Sequence, residues 1–129
     1  MRLTTISLTA SLLTAACATA PDVSLEDRTL PYGCNDVVVV GSVQNGSFEL
    51  ANSQNDLLGH GWATATITVR KVVKGPLLPF VLPVRYFAHT YMKQNLDFML
   101  VLKRTDGGGY EIATGQLMSL RPRLTDRCT

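Results

Sequence analysis

The chain has 129 residues, of which 46% are hydrophobic and 17% charged, a balance that excludes disorder, collagen and a coiled coil. Without an export signal of about 16 to 20 residues, one domain of roughly 110 is left, enough to bury about two-thirds of its unfolded surface without a metal. The formal net charge of +2 is too slight for a nucleic-acid footprint, so no nucleic-acid partner is expected.

Met1-Arg2 precedes an uncharged run from Leu3 to Ala16, and Cys17 follows. One positive charge ahead of about a dozen apolar residues ending in small ones has the form of a secretory signal over residues 1–16. A membrane-spanning helix needs about 20 apolar residues, and here Asp22, Glu26 and Asp27 follow at once. Two cleavage points stay open. Ala18-Thr19-Ala20 before Pro21 has the small-x-small form of ordinary signal cleavage. Leu13-Thr14-Ala15-Ala16-Cys17 resembles the lipobox of bacterial lipoproteins, with Thr14 where that family prefers leucine. The resemblance implies a diacylglyceryl thioether on Cys17 and membrane attachment through it, each buried methylene contributing about 0.8 kcal/mol. Ala18 after the cysteine implies an outer-membrane lipoprotein facing the periplasm. Ordinary cleavage implies a soluble periplasmic or secreted protein instead.

Either route spends or removes Cys17 and leaves Cys34 and Cys128 as an even pair in an oxidising compartment. They stand 94 positions apart. Neither has a histidine or second cysteine nearby, so a disulfide is expected rather than a metal site. A bridge over so long a loop stabilises by up to about 4.7 kcal/mol on the chain-entropy model.

In chain order, residues 17–33 are polar, proline-bearing and aperiodic, and read as a tether. The domain is expected over 34–129. Asp36 to Val43 is a β-branched strand with Gly41 as a bulge or bend. Gln44 to Gly61 is rich in Asn, Gly, Ser and Gln and reads as a long loop with one turn of helix. Trp62 to Val73 alternates, with Ala63, Ala65, Ile67 and Val69 on one face and Thr64, Thr66 and Thr68 on the other. Lys71 falls on the apolar parity, so either the strand leaves the core by then or a bulge switches its face, and Lys74-Gly75-Pro76 just beyond favours the exit. Pro79 and Pro83 delay the next strand to about Val84. Tyr91 to Asn95 reads as a short helical connection. Leu96 to Lys103 and Tyr110 to Leu117 are strands joined by the turn Thr105 to Gly109. A basic tail with Arg121, Arg123 and Arg127 runs to Cys128 and, with Lys103 and Arg104, reads as a solvated end, the alternative being contact with anionic phospholipid, lipopolysaccharide or an acidic partner. Five strands and no long helix predict an all-β fold, a small five-stranded antiparallel OB-like barrel with at most short helices.

Four stretches carry a further resemblance. Asp36 to Val43, Ile67 to Gly75, Phe98 to Leu102 and Tyr110 to Gly115 resemble, in that order, the netrin-like module, the OB-type barrel shared with tissue inhibitors of metalloproteinases. The resemblance implies the fold. The zinc-chelating N-terminal cysteine of the inhibitory members has no counterpart here, because no Cys-x-Cys follows Cys17.

No motif carries chemistry outright. His60 and His89 lack metal-ligand spacing, no serine sits in a nucleophile elbow, and no cofactor is expected. His60, Trp62, Tyr86, His89 and Tyr91 are the residues that would line a ligand face on such a barrel. The reading is a lipid-anchored, non-enzymatic envelope module that contacts another protein or a cell-surface polymer. The alternative is a small periplasmic hydrolase, or an inhibitor of one, built on His60 or His89. That alternative requires the two histidines to come together or to meet a carboxylate.

Overall fold

Dense β-branched sequence and period-two alternation produce strands throughout the computed structural model, which describes residues 28–51 and 55–128. The export signal, Cys17 and most of the expected tether lie outside the described residues. The strands are β1 (Thr29–Tyr32), β2 (Val37–Leu50), β3 (Gly61–Lys74), β4 (Val81–Ala88), β5 (Asp97–Arg104), β6 (Tyr110–Leu117) and β7 (Arg123–Asp126), and a 3-10 turn at Met118–Leu120 joins the last two. Five of them close a barrel in the order β2-β3-β4-β6-β5, and β1 pairs with β7 as a separate ribbon.

The fold is all-β, as expected, but the barrel is mixed rather than antiparallel. β4 and β6 run parallel, pairing Val84 with Tyr110 and Arg85 with Glu111. The reason is geometric. Directions cannot alternate around a closed ring with an odd number of strands, so one neighbouring pair must be parallel.

The inner face follows the alternation. Ala63, Ala65, Ile67 and Val69 of β3 meet Leu82, Val84 and Tyr86 of β4 and Leu100 and Leu102 of β5 in one buried cluster. Ile67 is fully buried while Thr66 is exposed. Two expectations about β3 and its partner change. β2 does not end near Val43 but continues to Leu50, because Asn45 pairs with Ala65, Phe48 with Ala63 and Glu49 with Trp62. Gly46 and Ser47 are accommodated as a bulge in that ladder. Cross-strand pairing thus overrides the turn-forming composition of Gln44 to Leu50. Lys71 faces out because a bulge switches parity, not because the strand leaves. The register passes from Gly41–Val69 to Val40–Lys71, and Val72 then packs on the core.

β4 begins at Val81, ahead of the expected Val84. Pro83 pairs with Thr66 but lies before β6 joins at Val84, where β4 has one neighbour and a missing N–H is tolerated. Tyr91 to Asn95 form no helix, and side-chain hydrogen bonds hold them instead.

Both chain ends of the domain form structure. Thr29 to Tyr32, expected in the tether, pair in parallel with Arg123 to Asp126 of the expected solvated tail. Leu30 carries this ribbon onto Val38 and Val101, a second small core outside the barrel. The expected disulfide joins Cys34 to Cys128 with Cα atoms 4.6 Å apart, well within bridging distance.

Candidate functional site

Strand parity puts Trp62 of β3 and Arg85 and Phe87 of β4 on the outside of the barrel, and the register sets Trp62 opposite Phe87. Their rings are 5.2 Å apart, with Trp62 37% and Phe87 51% exposed. His60, just before β3, stacks on Phe87 at 5.7 Å, and His89, just after β4, meets His60 edge-on at 5.4 Å. At the other end the Arg85 guanidinium lies 4.4 Å from the centre of the Trp62 ring. Arg85 is itself fixed by Glu111 across the parallel β4–β6 pair, where Nη2 and Nε donate to Oε2 at 2.7 and 3.1 Å. His89, His60, Phe87, Trp62 and Arg85 thus form a continuous exposed row along β3 and β4.

Two shallow grooves extend the row down the same face. One, of roughly 380 Å³, runs from Arg85 to the Thr105–Gly109 turn. The other, of roughly 410 Å³, lies between Gln44, Thr64, Thr66 and Pro83. The Thr64 hydroxyl accepts the Ser47 N–H at 2.9 Å, so the β2 bulge forms one groove wall.

The loop before β3 is built on Asp56. Its carboxylate accepts the backbone N–H groups of Leu58, Gly59 and His60 at 3.1, 3.1 and 2.7 Å. It also takes the His60 Nδ1 hydrogen at 2.9 Å. The bond from the His60 ring, helped by the backbone N–H of His60 and Leu58, holds the Asp56 carboxyl below the usual carboxylate range. Fixing the proton on Nδ1 leaves Nε2 of His60 as the free ring nitrogen. The histidines therefore do come together, and one of them does meet a carboxylate. Among the described residues no group of three or more His, Cys, Asp or Glu is arranged to hold a metal.

Of the residues singled out in the sequence, His60, Trp62 and His89 share this row. Tyr86 is not part of it: it is on the inward parity of β4 and 3% exposed. Its hydroxyl donates to Asn45 Oδ1 at 2.6 Å and accepts the Met92 N–H at 2.9 Å, and burial pushes its pKa up. Tyr91 is exposed but serves as a mooring. Its hydroxyl donates to the Gly46 carbonyl at 3.0 Å, and its ring meets Phe48 edge-on at 5.7 Å. The two tyrosines tie the 89–96 segment across the barrel end onto the β2 bulge.

Sequence reasoning missed Asp56, Arg85, Phe87 and Glu111. The parity of β4 carries Arg85 and Phe87 outward once Val84 and Tyr86 are taken as inward. The Asp-Leu-Leu-Gly-His run signals an aspartate-capped turn. The Arg85–Glu111 pair had no local signal, since it depends on the parallel register. Comparison with protein-family models, with curated proteins and with solved structures finds no significant match to this chain.

Proposed function

We propose that this chain is an exported binding module, anchored through lipid on Cys17, that holds an oligosaccharide segment of a cell-envelope polymer on the outer face of β3 and β4. The observation that carries the reading is the exposed, prearranged row of Phe87, Trp62 and Arg85. Contiguous exposed apolar surface on a monomer marks an interaction site, and here each ring is oriented by a neighbour before any ligand arrives. Flat rings cover the C–H faces of sugars, and the threonines and Arg85 beside them offer hydrogen bonds to hydroxyls. β3 and β4 are the second and third strands of the barrel, the face on which OB-type barrels hold oligosaccharides and oligonucleotides, an analogy of fold alone. The near-neutral charge of the chain disfavours the nucleotide option.

The test is co-sedimentation of the purified protein with insoluble peptidoglycan and, separately, with lipopolysaccharide aggregates. Wild type is expected in the pellet of at least one. Trp62→Ala and Phe87→Ala are expected to lose most of that binding while keeping their melting temperature within a few degrees. Equal pelleting of wild type and both variants refutes the reading.

A second reading rests on one specific observation, the Asp56–His60 pair beside His89. A carboxylate-oriented imidazole with a free Nε2 is the arrangement of a general base, which fits a hydrolase acting on the same polymer. On this reading His60 acts as a general base on water. Turnover of a polymer that is lost in His60→Gln, with binding retained, would favour it.

A further inference from the structure

The connection between β3 and β4 reads Gly75-Pro76-Leu77-Leu78-Pro79-Phe80 and presents a cluster of apolar side chains to solvent. Leu77 is 99% exposed, Phe80 71%, Val81 52% and Val73 38%. The loop is held in this form. Two prolines fix φ at their positions, and Gly75, at φ 120°, turns the chain where a Cβ would meet the Val37 side chain at 2.9 Å. The Phe80 carbonyl accepts the Val69 N–H at 2.8 Å, and Leu78 packs against the core. One of two adjacent leucines anchors the loop while its neighbour points away from the protein. Single exposed leucines are ordinary, but a braced apolar tip marks an interaction site.

Charge indicates what the tip meets. From residue 57 to residue 96 the chain carries Arg70, Lys71, Lys74, Arg85 and Lys93 and no Asp or Glu. Lys71 and Lys74 lie on β3 just before the tip, and Arg104 lines the same end of the barrel beside Pro76. The acids near that end are Asp36, which is largely covered and faces Lys103 at 3.8 Å, Glu111, which pairs with Arg85, and Asp106 in the β5–β6 turn. An apolar tip with a basic collar matches the boundary between acyl chains and anionic headgroups. A second copy of the chain is a poorer match, because a two-fold contact would set two basic collars against each other.

We propose that the Leu77–Phe80 tip docks on a lipid bilayer, with Leu77 and Phe80 entering the headgroup boundary and Lys71 and Arg104 contacting anionic lipid. This does not depend on an acyl chain at Cys17, nor on the aromatic row, which lies towards the opposite ends of β3 and β4. The experiment uses the purified chain carrying Cys17→Ala, so that no acyl chain contributes, sedimented with vesicles of phosphatidylethanolamine and phosphatidylglycerol or of phosphatidylcholine alone. Binding to the anionic vesicles is expected, weakened by salt and by Lys71→Glu. The double variant Leu77→Ser/Phe80→Ser is expected to lower it by roughly tenfold or more. In a Trp62→Phe/Phe80→Trp variant, the sole tryptophan should shift to the blue and be quenched by brominated lipid. Equal partitioning of the double variant, absence of binding to anionic vesicles, or a dimer that dissociates in the double variant would each overturn the proposal.

Discussion

Lys74 offers the sharpest test of how the domain is held at its disulfide end. Its ammonium donates to the carbonyls of Gly33, Cys34 and Asp36 at 2.9, 3.0 and 3.0 Å and lies 5.0 Å from the centre of the Tyr32 ring. All three carbonyls belong to the turn between β1 and β2, so one side chain at the end of β3 gathers that turn against the barrel. Lys74→Met keeps most of the stem and removes every donor. A hydrogen bond to a charged group contributes about 1.5–3 kcal/mol. The three share one donor group close to solvent and do not add, so the expected loss is about 2–3 kcal/mol. For a domain of this size that lowers the melting temperature by about 10–20 °C, measured by thermal denaturation under oxidising conditions. Lys71→Met, three residues earlier and exposed, should stay within about 0.5 kcal/mol. Cys34 lies in the same turn, so the Lys74→Met loss should change when Cys34→Ser/Cys128→Ser is added, with a coupling above about 0.5 kcal/mol. A Lys74→Met protein as stable as wild type would refute this reasoning.

Other perturbations follow from the same geometry. Ile67→Ala should cost about 2–5 kcal/mol in denaturant unfolding, and Thr66→Ala, on the outer face, less than about 0.5. Gly41→Ala should be severely destabilising, because the new Cβ would collide with the Thr68 carbonyl and meet Ile67 Cγ2 at 2.9 Å. Tyr86→Phe should lose about 1–3 kcal/mol by leaving Asn45 and the Met92 N–H without their partner, and hydrogen exchange should show the 89–96 segment loosened. Burial raises the pKa of Tyr86 in the fold, so its contribution is complete below the unfolded tyrosine value near 10 and lost as pH rises beyond it. Tyr86→Phe should flatten that alkaline loss. Asp56 behaves oppositely. Its folded pKa is lowered, so its contribution is present above the unfolded value of about 3.9 and disappears as pH falls through the folded one. Amide signals of Leu58, Gly59 and His60 should shift together in that acid range, and Asp56→Asn should weaken the effect.

What could be read from the chain depended on how local the determinant was. β3 was legible because the positions from Ala63 to Arg70 alternate without interruption, and alternation alone fixes which face is buried. The end of β2 was not, because Asn45, Gly46 and Ser47 look like a turn until Ala65, Thr64 and Tyr86 are brought against them. β1 and β7 are four residues each and pair only because the chain ends meet across the disulfide. The outward face of Lys71 follows from a bulge that parity alone cannot locate. In the candidate site, His60, Trp62 and His89 were accessible as isolated polar or aromatic residues at element boundaries. Tyr86 shows the limit, since an aromatic near the end of a strand is a ligand contact or a core residue according to one step of register. Arg85 and Glu111 meet only through the barrel's one parallel pairing, which odd-membered closure requires but does not assign to a particular pair of strands.

On the proposed function, the Trp62–Phe87–Arg85 face is where this domain meets its ligand. Nuclear magnetic resonance mapping with soluble peptidoglycan and lipopolysaccharide fragments addresses it residue by residue. Shifts are expected at the Trp62 indole, the Arg85 guanidinium, the Phe87 ring, His60 and Thr64, with Leu77 and the β1–β7 ribbon unmoved. Shifts confined to the tip or the ribbon, or no shifts with any of these fragments, would contradict it.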